Sequence, residues 1–255
     1  MEYTLIFDCD GVISETERFG HLIAFNQMFA EFDLPVHWDD EEYAKRLQIG
    51  GGRERLASLL TPEFVQYAHL PTQYEEQRRM LAQWHKRKTA IYIDIVKSGR
   101  LPGRPGIARL AREALAANWK LAVCSTSAPE SVATILAHVV GVEQAAHFGI
   151  FAGDMVAHKK PAPDVYQLAL QRLQARREQT IVIEDSRNGL LAAVGAGLRS
   201  VVTLSTYTQH EDVHEATMVL SHLGDPETAM QIIANRGCAK PSSYMTLSDL
   251  VACLQ

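Results

Sequence analysis

The chain has no long apolar run. Nothing in it approaches the roughly 20 consecutive apolar residues of a membrane span, so no membrane association is expected. It also lacks an excess of positive charge: Lys plus Arg number 25 and Asp plus Glu 30, a net charge of −5, which argues against bulk affinity for nucleic acid. Cysteine is scarce. Cys9, Cys124, Cys238 and Cys253 show no paired metal-ligand spacing, and two of them lie inside predicted strand ends, so reduced buried thiols are expected rather than disulfides. No charged-then-apolar leader precedes Tyr3, so the expected compartment is the cytoplasm, or a plastid stroma if a transit peptide has been removed. No segment marks an obligate protein partner. What is present is 255 residues, 47% of them hydrophobic, enough for one large domain or a core with a smaller module.

The most informative stretch is Asp8-Cys9-Asp10-Gly11, directly behind the apolar run Tyr3 to Phe7. This pattern predicts a buried parallel strand with acids at its carboxyl end, and strand alternation would point Asp8 and Asp10 the same way. Similar junctions recur. Leu121 to Cys124 runs into Ser125-Thr126-Ser127, where Ser127 and Glu130 have capping-box spacing and Pro129 marks a first helical turn. Phe148 to Ala152 leads to Lys159-Lys160-Pro161-Ala162-Pro163-Asp164, and Thr180 to Ile183 ends in Glu184-Asp185-Ser186. Each feature alone has an ordinary structural explanation. Together, an acid pair, a hydroxyl, a lysine and a second acid pair, each behind its own strand, would converge at one edge of a sheet.

This order resembles the haloacid dehalogenase-like superfamily, with Asp8 and Asp10 as its first motif, Ser125 its second, Lys160 its third, and Glu184 with Asp185 its fourth. The resemblance implies that Asp8 attacks phosphorus, forming an aspartyl phosphate, while Asp10 protonates the leaving oxygen and then activates water. A carboxylate approaching a phosphate dianion meets about 4 kcal/mol of repulsion per charge pair at 4 Å and an effective dielectric near 20. Two such pairs slow the step by roughly six powers of ten, so cations are needed. Mg²⁺ is the expected cofactor, held by Asp8, the Asp10 carbonyl and Asp185, with Glu184 direct or through water. Ser125, Thr126 and Lys160 would hold the phosphoryl oxygens. The implied fold is α/β: a Rossmann-like doubly wound parallel sheet core (1–16 and 100–255) with an inserted helical-bundle cap (17–99).

The insertion is read from the residues as well. Roughly a hundred residues separate Asp10 from Ser125, where about ten would make a crossover. Leu22, Phe25, Phe29 and Phe32, and again Leu81, Trp84, Ile91 and Ile95, recur at helical spacing. Gly50-Gly51-Gly52-Arg53 is a glycine-rich bend opening a helix. An arginine in a first turn opposes the helix dipole, which suits gripping an anion, and Arg53 is favoured over Arg55. Lys88 lies on the apolar stripe of its helix, where snorkelling and a ligand contact explain it equally well. Glu15, Glu17 and His21 follow the first motif, and Glu17 is the first choice to reach a sugar hydroxyl. Hinge positions are expected near Ser14 to Thr16 and Gly99 to Gly103. Beyond about Asp225 no motif can be assigned, and the tail is expected to pack on the core or extend from it.

Within the superfamily, Asp8 to Val12, Ile49 to Arg55, Gly153 to Val156, Lys159 to Asp164 and Glu184 to Ser186 resemble the CbbY-like sugar phosphatases. That resemblance implies hydrolysis of xylulose-1,5-bisphosphate, a Rubisco inhibitor, to xylulose 5-phosphate. Arg53 would grip the distal phosphate, and Glu17 and Lys88 would contact the sugar. A beta-phosphoglucomutase-like mutase is the alternative, because Val12 occurs in both groups and exchanging water for a sugar hydroxyl changes none of the motifs. A receiver-type phospho-aspartate signalling domain, which is not an enzyme, shares the acids, hydroxyl and lysine. It lacks an inserted cap and an aspartate two positions on.

Overall fold

The computed structural model describes residues 2–47, 49 and 52–255. The chain divides into two compact units, Met1–Thr16 with Leu101–Gln255, and Glu17–Arg100. In the first unit lie β1 (Thr4–Phe7), β2 (Lys120–Ser125), β3 (Phe148–Ala152), β4 (Thr180–Glu184), β5 (Arg199–Thr203), β6 (Met218–Leu220) and β7 (Ile232–Asn235). Among the described residues these seven form one sheet, ordered β3-β2-β1-β4-β5-β6-β7. Every pairing is parallel except that of β6 with the edge strand β7. All residues of β1 and β4 are buried, as expected for central strands covered on both faces. From β1 the chain next pairs β2 on one side and later β4 on the other, so the strand order reverses at β1. Ligands of open α/β sheets bind beyond the carboxyl ends at such a reversal.

The unit Glu17–Arg100 is helical. It opens with a π-helical turn, Glu17–Leu22, and continues through α1 (Ile23–Glu31), α2 (Asp40–Leu47), α3 (Gly52–Ala57), α4 (Pro62–Tyr67) and the long α5 (Tyr74–Lys97). The stripe Leu81, Trp84, Lys88, Ile91, Tyr92 and Ile95 of α5 is buried, the i, i+3, i+4 pattern that the sequence carries. Trp38 is enclosed by Phe25 and Phe29 of α1 and Tyr43 of α2, with ring centroids 4.8 to 6.0 Å apart. The side chain of Asn26 bonds both the N–H and the carbonyl of Trp38, fixing that loop to α1.

The remaining helices belong to the first unit: α6 (Ile107–Ala116), α7 (Pro129–Val140), the short α8 (Val142–Ala145), α9 (Asp164–Leu173), α10 (Arg187–Gly195) and α11 (Leu247–Ala252). Ile6, Ala122 and Val182 of the central strands pack with Val165, Tyr166 and Ala169 of α9 and with Ala192 and Ala193 of α10. Each large apolar side chain so buried contributes about 1.5–3 kcal/mol.

The tail beyond Asp225 is part of this fold. It supplies β7 and then α11, whose Thr246 and Asp249 form a reciprocal capping box. Asp225 itself accepts from the backbone N–H of Gly106 at 2.8 Å and from Arg109 Nε at 3.2 Å.

Candidate active site

Every core residue singled out above lies at the carboxyl edge of the sheet. β1 stops at Phe7, so strand alternation does not orient the two aspartates. Instead the N–H groups of Ile13 and Ser14 both donate to the Cys9 carbonyl, at 2.9 and 3.4 Å, and curl the chain back. Gly11 makes this possible with φ of +87°. A Cβ there would lie 2.0 Å from Asp185 Oδ2, so the turn at Gly11 and Asp185 need the absence of a side chain.

Lys160 joins the first and fourth motifs. Its ammonium donates to Asp8 Oδ1 and Glu184 Oε1, both at 2.6 Å, and to the Cys124 carbonyl at 2.8 Å. Glu184 is fully buried. Its Oε1 also accepts from the buried Tyr166 hydroxyl, and its Oε2 accepts from the Asp185 N–H at 3.2 Å. Asp8, Glu184 and Asp185 bring carboxylate oxygens within 4.8 Å of one another, and all three are buried.

The electrostatics follow from that crowding. Burial, then repulsion from Glu184 and Asp10, pushes the Asp8 carboxyl up to about 8 against the pull of Lys160. Burial and the neighbouring Asp8 and Glu184 push Asp185 well above the ordinary carboxylate range. Burial alone would lower Lys160, but Asp8 and Glu184 outweigh it and hold the ammonium well above its usual value. Lys160 thus bonds two of three crowded carboxylates, and all three offer oxygen ligands. Such a set suits a hard divalent cation, so these residues fit a metal site.

Asp10 is held separately. Thr16 Oγ1 donates to its Oδ1 at 2.5 Å, while Ser127 Oγ at 2.6 Å and Ser125 Oγ at 3.3 Å donate to its Oδ2. This corrects the expected capping box. α7 does begin at Pro129, but its N-cap is Ala128 with no side-chain bond, because the Ser127 hydroxyl serves Asp10. Ser125 is buried at the end of β2, and Thr126 beside it is exposed.

In the helical unit, Glu17 accepts from the Tyr43 hydroxyl and lies 3.5 Å from Arg55 Nη1. Arg55 also bonds the Ile49 carbonyl at 3.0 Å and Tyr43 at 3.2 Å, so it is committed within the unit, whereas Arg53 is exposed on α3. Gly50 and Gly51 of the predicted bend lie outside the described residues. Lys88 does not snorkel. It is 6% exposed, with Nζ 2.8 Å from His21 Nδ1 and 4.4 Å from the centroid of the Phe25 ring. Burial lowers its ammonium to about 8, with Glu17 opposing and Arg55 adding to the shift. Burial, then Lys88 and Arg55, holds His21 well below its ordinary value, so a neutral imidazole accepts from the lysine.

Sequence reasoning missed Thr16, Ser127 and Tyr166 as partners of the acids. Ser127 carried a signal that fitted a helix cap equally well. Tyr166 carried none, since an aromatic two residues into a helix usually reads as core.

These features agree with what the chain resembles. The family model for haloacid dehalogenase-like hydrolases matches residues 4–197. A CBBY-like protein of Arabidopsis thaliana is 42% identical over 226 residues, covering 87% of this chain and 69% of that relative. The crystal structure of CbbY from Rhodobacter sphaeroides in complex with phosphate superposes with a TM-score of 0.70 at 37% identity, covering 87% of this chain and 95% of that one. A mutant of the same CbbY, crystallised with xylulose-(1,5)bisphosphate, gives 0.69 at 37% identity with the same coverage. The chain is thus an enzyme of the haloacid dehalogenase-like hydrolase family and belongs, within it, with the CbbY-like proteins.

Proposed function

We propose that this hydrolase is a Mg²⁺-dependent sugar-phosphate phosphatase that works through an aspartyl phosphate, with xylulose-1,5-bisphosphate as its substrate and xylulose 5-phosphate as product. One observation carries the reading: the buried convergence of Asp8, Lys160, Glu184 and Asp185 at the carboxyl edge of the sheet, beside an Asp10 fixed by hydroxyl donors. The substrate assignment is supported by the CbbY complex with that bisphosphate.

Asp8 is the nucleophile, and Lys160 favours its ionised form against burial and aligns it while bonding the transferring phosphoryl oxygens as charge builds there. Asp10 gives its proton to the leaving sugar oxygen and takes one from the attacking water. The side chains of Asp8 and Asp185 and the Asp10 carbonyl would hold Mg²⁺, with Glu184 direct or through water. The ion would supply charge neutralisation for the anionic substrate. Ser125 and Thr126 orient the phosphoryl group from the end of β2. The helical unit carries the residues assigned to the non-reacting part of the substrate: Arg53 for the distal phosphate, Glu17 and Lys88 for the sugar. Charged sugar phosphates are confined to aqueous compartments, so cytoplasm or plastid stroma is the proposed location. Among the described residues no helix is long and apolar enough to cross a membrane.

The test is a Mg²⁺-dependent phosphate-release screen over pentose and hexose mono- and bisphosphates. Release that is fastest for xylulose-1,5-bisphosphate is expected. Formation of a sugar-phosphate isomer without free phosphate would replace the phosphatase by a mutase.

A further inference from the structure

Arg104 immediately follows the segment read as a hinge, and none of the motifs includes it. Its guanidinium is almost wholly buried, with 9% of the side chain exposed. Nη1 donates to the carbonyl of Gly11, to that of Thr203 at 2.9 Å and to Thr203 Oγ1 at 3.2 Å. Nη2 donates to the carbonyls of Leu204 and Ser221, both at 2.7 Å. The Arg104 backbone N–H reaches the Ile13 carbonyl at 3.0 Å. Two carboxylates act on the fork: Glu15, 3.9 Å from Nε and itself bonded by the Thr206 hydroxyl, and Asp185, whose charge the guanidinium also feels. One side chain thus ties the loop after β1 to the ends of β5 and β6. A planar fork of five N–H donors can satisfy four separate carbonyls at once, one more than the three donors of a lysine ammonium allow.

We infer that Arg104 is a positioning residue for the metal site, clamping the Gly11 turn so that the Asp10 carbonyl and Asp185 keep their places. Two rigid peptide planes transmit the clamp. The Gly11 N–H donates to the Ser14 carbonyl at 2.8 Å. The Asp10–Gly11 peptide is planar and trans, so this bond also fixes the opposite direction, along which the Asp10 carbonyl points. Arg104 fixes the next plane through the Gly11 carbonyl. Because a Cβ at Gly11 would meet Asp185 Oδ2 at 2.0 Å, the turn also forms one wall of the Asp185 position. The inference rests on the proposed Mg²⁺ dependence.

The experiment is calorimetric titration of Mg²⁺ alone into wild type, Arg104→Lys and Glu15→Gln at a temperature where each is folded by circular dichroism, followed by steady-state kinetics. Outer partners of metal ligands are commonly worth about 10- to 100-fold in affinity. Arg104→Lys is expected to weaken Mg²⁺ by about 10-fold or more and to lower kcat at saturating Mg²⁺, leaving KM within about 2-fold. A folded Arg104→Lys with a lowered Tm but wild-type Mg²⁺ affinity and kcat overturns the clamp and leaves a structural arginine. If Arg104→Lys does not fold, Glu15→Gln decides: weakening of about 3-fold or more supports the clamp, and unchanged affinity overturns it. Wild type that binds no Mg²⁺ removes the functional reading underneath, a failure distinct from that of the clamp.

Discussion

Lys160 Nζ sits 2.6 Å from Asp8 Oδ1, and the two side chains expose only 7% and 10% of their surface. The lysine of so enclosed a pair is costly to remove, because its loss leaves Asp8 and Glu184 desolvated without their shared cation, whereas loss of Asp8 still leaves Lys160 bonded to Glu184. Lys160→Met would leave Asp8 and Glu184 facing each other with no cation in contact. It should abolish turnover and lower stability by about 3–5 kcal/mol in EDTA, with much of the loss restored by Mg²⁺. Urea unfolding with and without the ion measures this. An equal loss in both conditions would contradict the metal site.

Removing the other partner has the opposite sign. Asp8 is held at about 8 in the metal-free protein, against 3.8 ordinarily, through burial first and acidic neighbours second. Between about pH 4 and 8 the folded state keeps a proton that the unfolded state has released, so Asp8 costs stability increasingly as pH rises through that window. Lys160, raised in the folded state, contributes fully below its unfolded value of 10.5 and adds no slope there. His21, lowered by burial, tilts the curve the other way below pH 6.5, so the comparison must be between variants. Asp8→Asn is expected to lack turnover, stay folded and melt above wild type in EDTA, by a margin that grows from pH 5 to 8. A margin that shrinks with pH, or retained activity, would reject the assignment.

The clamp on Asp10 predicts a separation of kcat from KM. Asp10→Asn should slow turnover by about 10²- to 10⁴-fold. Ser127→Ala removes one charge-assisted hydrogen bond, worth about 1.5–3 kcal/mol, and is expected to lower kcat by roughly 10- to 100-fold with KM little changed. Unchanged kcat in Ser127→Ala would mean that the hydroxyl merely occupies the site.

How much of this was legible follows from where each constraint resides. Long-range burial writes itself into composition: Thr4 to Phe7 and Thr180 to Ile183 are apolar because both faces of central strands are covered. The acids were legible because they follow those runs. The tail was not, since β7 is a four-residue edge strand with Ile232 and Ile233 exposed, and a short exposed strand carries no periodic signature. Lys88 was ambiguous because helical spacing places a residue on a face without saying whether its charged tip reaches water. Ser127 satisfied a local rule while its hydroxyl was drawn to Asp10 by a tertiary contact across 117 positions, which no short window contains.

Arg53 and Arg55 are two positions apart yet predict different phenotypes. Arg53 is exposed and assigned to the distal phosphate, so Arg53→Ala should raise KM for bisphosphates about 10-fold or more while barely affecting monophosphates. Arg55 braces Glu17, Tyr43 and the Ile49 carbonyl. Arg55→Ala should therefore lower Tm and raise KM for both substrate classes together. Equal KM changes for the two classes in Arg53→Ala would remove its distal-phosphate role.

Arg109 tests whether the tail is structural without being catalytic. On α6, it donates to the Gly224 carbonyl at 2.8 Å, lies 3.2 Å from both Asp225 and Glu113, and covers the Tyr244 ring at 4.7 Å. It is buried, so Arg109→Ala strips a charged partner from Asp225, a carbonyl bond from Gly224 and a stacking surface from Tyr244. The expected cost is about 1–3 kcal/mol in urea unfolding, most of it from the Gly224 bond and the lost packing, since Asp225 and Glu113 keep contact with water. None of its partners is among the residues that meet at Asp8, so kcat and KM measured on the folded variant should stay within about 2-fold of wild type. A large fall in kcat at unchanged stability would mean that the tail communicates with the acids, and that its packing against α6 is more than support.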